Sequence, residues 1–165
     1  MIDAAFFDDE GYYTGPAISD TDIRSAEQSL GVTLPASYLQ LIAIRNGGVP
    51  TARCYPTDFA NSWAADHISI DAICGIGGTW GIDSDELGSR VMMSEWGYPD
   101  IGVVICSTPS GGHDTVMLDY RASGPTGEPA VAHIDEDRVP RQIAASFAEF
   151  IDGLTACDIY ENNDE

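Results

Sequence analysis

Residues 146–154 read Ser-Phe-Ala-Glu-Phe-Ile-Asp-Gly-Leu, and this stretch decides the fold. Ser146 and Glu149 have the spacing of a capping box, while Phe147, Phe150, Ile151 and Leu154 fall at i, i+3, i+4 and i+7. One face of the resulting helix is apolar and must be buried against another layer. That layer lies just upstream. Val116, Leu118 and Tyr120 alternate within residues 115–120, Ala130 to Ile134 reads as a further strand, and Ile101 to Ser107 is an apolar run of the length of a central strand. Pro109-Ser110-Gly111-Gly112 and the segment Gly124 to Gly127 carry turn chemistry between them. Together these segments predict an antiparallel meander closed by a C-terminal helix.

Toward the N-terminus, Ser19 caps a helix whose third residue is Asp22, with Ile18 and Ile23 at the spacing of a hydrophobic staple. Ile23, Ala26, Glu27 and Leu30 follow helical spacing, and Gly31 stops the element. A second helix starts at Pro35, runs through Tyr38, Leu39, Leu41, Ile42 and Ala43, and ends at Asn46-Gly47-Gly48. Residues 49–65 show no period and read as a long surface connection. His67-Ile68-Ser69-Ile70 alternates, and the strand is expected to continue through Ile73 to Ile76. The glycine-rich 75–81 implies a bulge or a bend, and a short helix capped by Asp83 or Ser84 is expected over residues 83–96. The fold class is therefore α+β: an N-terminal helix pair, a mostly antiparallel sheet, and a C-terminal helix packed on it. Residues 1–17 read as an arm, 18–156 as one domain, and 157–165 as an acidic tail. The tail's carboxylates would load the negative end of a helix dipole, so it is expected to fray.

The chain has 165 residues, 44% of them hydrophobic and 21% charged, which suits one self-sufficient core. Its 27 acidic residues face only 7 basic ones, all arginine, for a net charge of -20. Such a field attracts basic partners and repels polyanions. Nucleic acid and anionic membrane are accordingly excluded as partners, since phosphate binding needs Lys and Arg to release counterions. Cys54, Cys74, Cys106 and Cys157 are widely spaced, with no C-x-x-C pair, and are expected as reduced, buried thiols. With no signal-peptide pattern at the N-terminus, a cytoplasmic location is expected.

Four stretches resemble the SUKH superfamily of Smi/Knr-type domains. They are the helix pair Ile18 to Ile44, with Glu27, Leu30-Gly31, Leu34-Pro35 and Tyr38; Asn46-Gly47-Gly48; Gly112-His113-Asp114 leading into Val116 to Tyr120; and residues 143–151. The resemblance covers most of residues 18–154. It implies the α+β architecture above and no catalytic motif, its signature residues being caps, turns and core. It further implies a protein-binding role: bacterial members are thought to act largely as immunity proteins against toxins, often nucleases, and fungal members as regulatory interaction proteins. The long stretch 49–66 and the acidic tail depart from the pattern.

Chemical candidates are few. His113 and Asp114 with His133 and Asp135 could converge from adjacent strands as a metal site, although a turn in which Asp114 accepts backbone amides explains the first pair as well. Ser107 or Ser110 with His113 and Asp119 can be written as a nucleophilic set, but no nucleophile elbow accompanies them. The glycines of 75–81 lack the lysine a phosphate loop needs. Trp63, Trp80, Trp96, Tyr98 and Phe59 are assigned to the core first, an exposed tryptophan beside acidic residues being the alternative as an interface anchor. The acidic clusters are Asp8-Asp9-Glu10; Asp83, Asp85 and Glu86; and Asp135, Glu136 and Asp137. The last two are the expected partner-binding residues, if they do more than keep the chain soluble. The expected function is binding a basic toxin domain without catalysis, metal or cofactor. An intracellular regulator and a metal-dependent hydrolase built on His113 and His133 are the alternatives.

Overall fold

A computed structural model describes residues 3–8 and 11–161. A short 3-10 turn, Ala4–Phe6, precedes α1 (Asp20–Leu30) and α2 (Ala36–Ile44). The strands β1 (Cys54–Pro56), β2 (His67–Ser69) and β3 (Ala72–Ile73) follow, then α3 (Ser89–Trp96). The remaining elements are β4 (Gly102–Ser107), β5 (Thr115–Asp119), β6 (Ala130–Ile134), β7 (Pro140–Ala144), α4 (Phe147–Gly153) and α5 (Asp158–Glu161). Strands β3 to β7 form one antiparallel sheet in sequence order, and β1 pairs with β2 in a separate ribbon.

Local chemistry explains the helix ends. Ser19 Oγ accepts from the Asp22 amide while Asp22 accepts from the Ser19 amide, so two orphan donors of α1 are satisfied reciprocally. Gly31, at φ 73°, ends α1, and Glu27 reaches forward to accept from the Leu34 amide at 2.7 Å, fixing the link to α2. At α4, Ser146 Oγ accepts from the Glu149 amide and Glu149 accepts from the Ala145 amide.

The core lies between one face of the sheet and α1, α2 and α4. Tyr38 and Leu41 of α2 and Phe147 and Phe150 of α4 are fully buried against Val103, Ile105, Val116, Leu118 and Val131. Tyr38 and Phe147 meet edge to face at 5.5 Å, and Tyr38 Oη donates to the Cys74 carbonyl. The opposite face buries Val104, Met117, Ala132 and Ile134 with Tyr98, beneath Met92, Met93 and Trp96 of α3. Ser89, at the start of α3, is buried, and its hydroxyl accepts from the Val104 amide at 2.8 Å, beside the bulge in β4.

Several expectations need correction. Residues 83–88 are turns rather than the start of a helix. Asp83 accepts from the Gly77 amide instead of capping α3, Ser84 Oγ accepts from the Glu86 and Leu87 amides, and α3 begins only after Gly88. The connection 49–65 contains β1, and a break after Ser69 separates β2 from β3. β7 escaped the sequence reading because Pro140-Arg141-Gln142 has no apolar alternation; it is an edge strand that opens on a proline, where no ladder donor is needed. The segment read as an arm joins the fold: Phe7 is buried in the main core and bridges to Pro50.

The cysteines also depart from expectation. Cys54 and Cys157 form a disulfide, while Cys74 and Cys106 are free. The pairing is invisible in the sequence because it spans 103 residues. Only when Thr155 exchanges backbone hydrogen bonds with Cys54 do the two sulfurs meet. The expected fraying of the tail is met by a short helix at Asp158–Glu161, and the rest of the tail lies outside the described residues. No helix among the described residues is long and apolar enough to cross a membrane.

Closing so long a loop constrains the unfolded chain. Under oxidising conditions Cys157→Ser should therefore lower stability by about 2–4 kcal/mol. The comparison is urea unfolding with and without reductant, and reductant should abolish the difference between the two proteins.

Candidate functional site

The loop 108–114 between β4 and β5 carries a dense polar network. Asp114 is buried and lies at its centre: Ser110 Oγ donates to Oδ1 at 2.5 Å, and His133 Nε2 lies 2.8 Å from Oδ2. Ser110 Oγ also accepts from the Asp114 amide, and Thr108 Oγ1 donates to the Asp114 carbonyl. Burial alone would raise the Asp114 pKa. The hydrogen bonds from His133 and Ser110 outweigh it and hold the carboxyl below its ordinary value.

This arrangement does not form a nucleophilic triad. The carboxylate stands between the hydroxyl and the imidazole, so His133 has no contact through which to take the Ser110 proton. Asp114 accepts from side chains rather than from the backbone amides expected of a turn. His133 is fully buried, with Nδ1 unpartnered, whereas His113 is exposed and leans on the Trp96 and Trp63 rings at 5.7 and 6.4 Å. Asp135 turns away to other partners, so the candidate metal quartet, the less favoured reading of these residues, does not assemble. Among the described residues no group of three or more His, Cys, Asp and Glu side chains could hold a metal ion. The set Ser107, Ser110, His113 and Asp119 is likewise dispersed, Asp119 being paired with Arg121 at 2.8 Å.

The acidic residues divide by role. Asp135 is buried, accepting from the Ser62 and Glu136 amides, and so ties the long 57–66 connection to the β6–β7 turn. Asp137 pairs with Arg141 at 2.7 Å and accepts from the Val139 amide; these bonds bring its carboxyl down to about 2. Asp83 is spent on the Gly77 amide. Asp85, Glu86 and Glu136 remain exposed. The cluster at residues 8–10 lies partly outside the described residues.

The aromatic residues divide between core and surface, against the expectation that each lies in the core. Of the five, only Tyr98 is buried; Phe59, Trp80 and Trp96 are half-buried, and Trp63 is 55% exposed. Trp63 follows Ser62, whose amide Asp135 holds, so the exposed indole is anchored beside the acidic turn. Arg138 consolidates this region. At φ 61°, it stacks on the Tyr98 ring at 4.8 Å and donates to the Trp96, His113 and Asp135 carbonyls. No pattern in the sequence marks Arg138, because its partners are carbonyls distant along the chain.

The fold and this surface define an α+β domain whose polar network braces loops and whose exposed groups are acidic and aromatic. A profile of the SMI1 / KNR4 family (SUKH-1) matches residues 17–153, and the chain belongs to that family. No curated protein and no solved structure matches it.

The Asp114 carboxyl takes up its proton at lower pH when folded than when unfolded. Its stabilisation is whole above the ordinary carboxylate pKa and is lost as pH falls through the folded value. His133→Ala, which leaves this carboxylate buried without its imidazole, should cost at least about 1–3 kcal/mol at neutral pH. Asp114→Asn should flatten the acid limb of the stability profile, measured by thermal unfolding across the acid range.

Proposed function

We propose that the chain is a non-catalytic binding domain, an immunity-type protein that neutralises a basic toxin, with a nuclease the best fit to its charge. The observation that carries this reading is the exposed Trp63 fixed beside the acidic β6–β7 turn in a chain of net charge -20. A rigid aromatic anchor next to carboxylates suits a surface that grips a basic protein, giving specificity and fast association. Family membership supports a protein partner, and the Asp114 network supports bracing rather than turnover. On this reading Asp85, Glu86 and Glu136 meet the partner directly. Asp83, Asp135 and Asp137 shape the loops that present them. The proposed place of action is the cytoplasm, where thiols are kept reduced and Cys54 and Cys157 would stand as a neighbouring dithiol.

Co-expression with a toxin encoded beside this gene should restore growth and yield a co-purifying complex; the failure of both would sink the proposal. Within such a complex, Trp63→Ala should weaken affinity at least about tenfold, read by calorimetry. Replacing Asp85, Glu86 and Glu136 together by Asn, Gln and Gln should slow association at low salt and leave the high-salt rate nearly unchanged.

A further inference from the structure

A cavity of about 330 Å³ opens beside α3, on the face of the sheet opposite the main core. Its walls are aromatic. Tyr13 and Trp80 meet edge to face at 4.9 Å, with Tyr12 against the same indole at 5.3 Å, and Trp96 and Tyr98 contribute from α3 and the residues after it. Among the described residues, two polar groups lining the cavity lack hydrogen-bond partners. The Ser107 hydroxyl is buried near the Tyr13 phenol, yet the geometry closes no hydrogen bond between them. Asp71 is half-buried, and its carboxylate makes no hydrogen bond among the described residues. Burial raises the Asp71 pKa, and the Arg53 guanidinium offsets part of that rise.

These features narrow the ligand. A neutral apolar group would leave Ser107 and Asp71 unsatisfied, at the usual cost of buried polar atoms. An anion would meet the Asp71 carboxylate and the field of the whole chain. A cation is held by aromatic faces and completes both acceptors. Between the two cationic side chains, a planar guanidinium stacks on rings and reaches two acceptors with one fork, whereas an ammonium is a compact point charge that keeps its water. The volume lies at the small end of ligand pockets, enough for one long side chain.

We infer that this pocket receives the guanidinium of an arginine presented by the protein partner, stacked on Trp80 and Trp96 and hydrogen-bonded to Asp71 and Ser107. The inference rests on the basic-partner reading above and adds to it the side chain that is read. It also gives the segment 83–87 a second use, since Leu87 borders the same cavity.

The test uses the full chain and three blocked tripeptides, acetyl-Gly-X-Gly-amide with X as arginine, lysine or citrulline, titrated at low salt and followed by tryptophan fluorescence. The arginine peptide should bind saturably and at least about tenfold more tightly than either of the others. Asp71→Asn and Trp80→Leu should each weaken it about tenfold or more, while Asp152→Asn, the same charge change on the exposed side of α4, should leave it within about twofold. Equal binding of arginine and lysine peptides, an equal loss in Asp71→Asn and Asp152→Asn, or no saturable binding would overturn the inference. Because the peptides need no toxin, such a result leaves the basic-partner reading standing. Specific arginine binding in a chain that protects against no toxin would separate the two the other way.

Discussion

The side chain of Asn46 holds together three parts of the chain that are remote in sequence. It is buried at the end of α2, and its amide nitrogen donates to the carbonyls of Pro16 and Ile76 while its oxygen accepts from the Ile76 amide. Its own carbonyl accepts from Gly15. Each of these groups, left unpaired inside the protein, would cost about 1–3 kcal/mol, so the N-terminal segment, the helix end and the glycine-rich loop are fixed as one unit. The crowding explains the glycines around it. A Cβ on Gly75 would lie 2.3 Å from the Asn46 oxygen, and Gly47, at φ 86°, has the Gly75 amide 2.8 Å from where its own would be. From this knot the chain leads to Gly77, whose amide holds Asp83, and to Trp80, which walls the aromatic cavity.

The sequence shows the elements that carry their own signals. α1 and α4 have capping residues and apolar periodicity, and β5 and β6 have alternation within single segments, so each was legible by itself. Asn46-Gly47-Gly48 was legible as a helix stop but not as a knot, because its partners lie 30 residues away on either side. Distance also hid the disulfide, whereas β1 and β7 were hidden by composition, since neither short segment shows apolar alternation. The candidate site was half visible. Asp114 and His133 were singled out together, yet the alternation of β5 and β6 could not reveal the register that places Val116 opposite His133. It was that register, with the loop before β5, that joined Asp114 to His133 and Ser110 and left His113 outside. Trp63 was misjudged because a tryptophan in an aperiodic stretch carries no sign of which side of the loop it will face.

The arginines clarify what the charge imbalance means in three dimensions. Arg45, Arg90 and Arg138 donate to backbone carbonyls of their own chain, while Arg121 and Arg141 pair with Asp119 and Asp137. Five of the seven basic side chains thus serve internal joints. Carboxylates such as Asp85, Glu86 and Glu136 are left to the solvent, which makes the outward face more one-sided than a count of residues implies. Placing Trp63 beside such a turn, and a cavity of aromatic rings next to another, gives that face points of contact as well as a field.

The order of the strands has a kinetic consequence. Every neighbour in the β3–β7 sheet is also next in strand order, and the pairings among β4 to β7 close short loops, which form early because they surrender little chain entropy. The ends of the chain behave differently. Phe7 must find Pro50, and Cys157 must travel back across 103 residues to Cys54. The meander can therefore assemble as a template before either terminus docks. The approach of Cys157 to Cys54 then comes last, and the distance between the two sulfurs records when the protein has finished closing on itself.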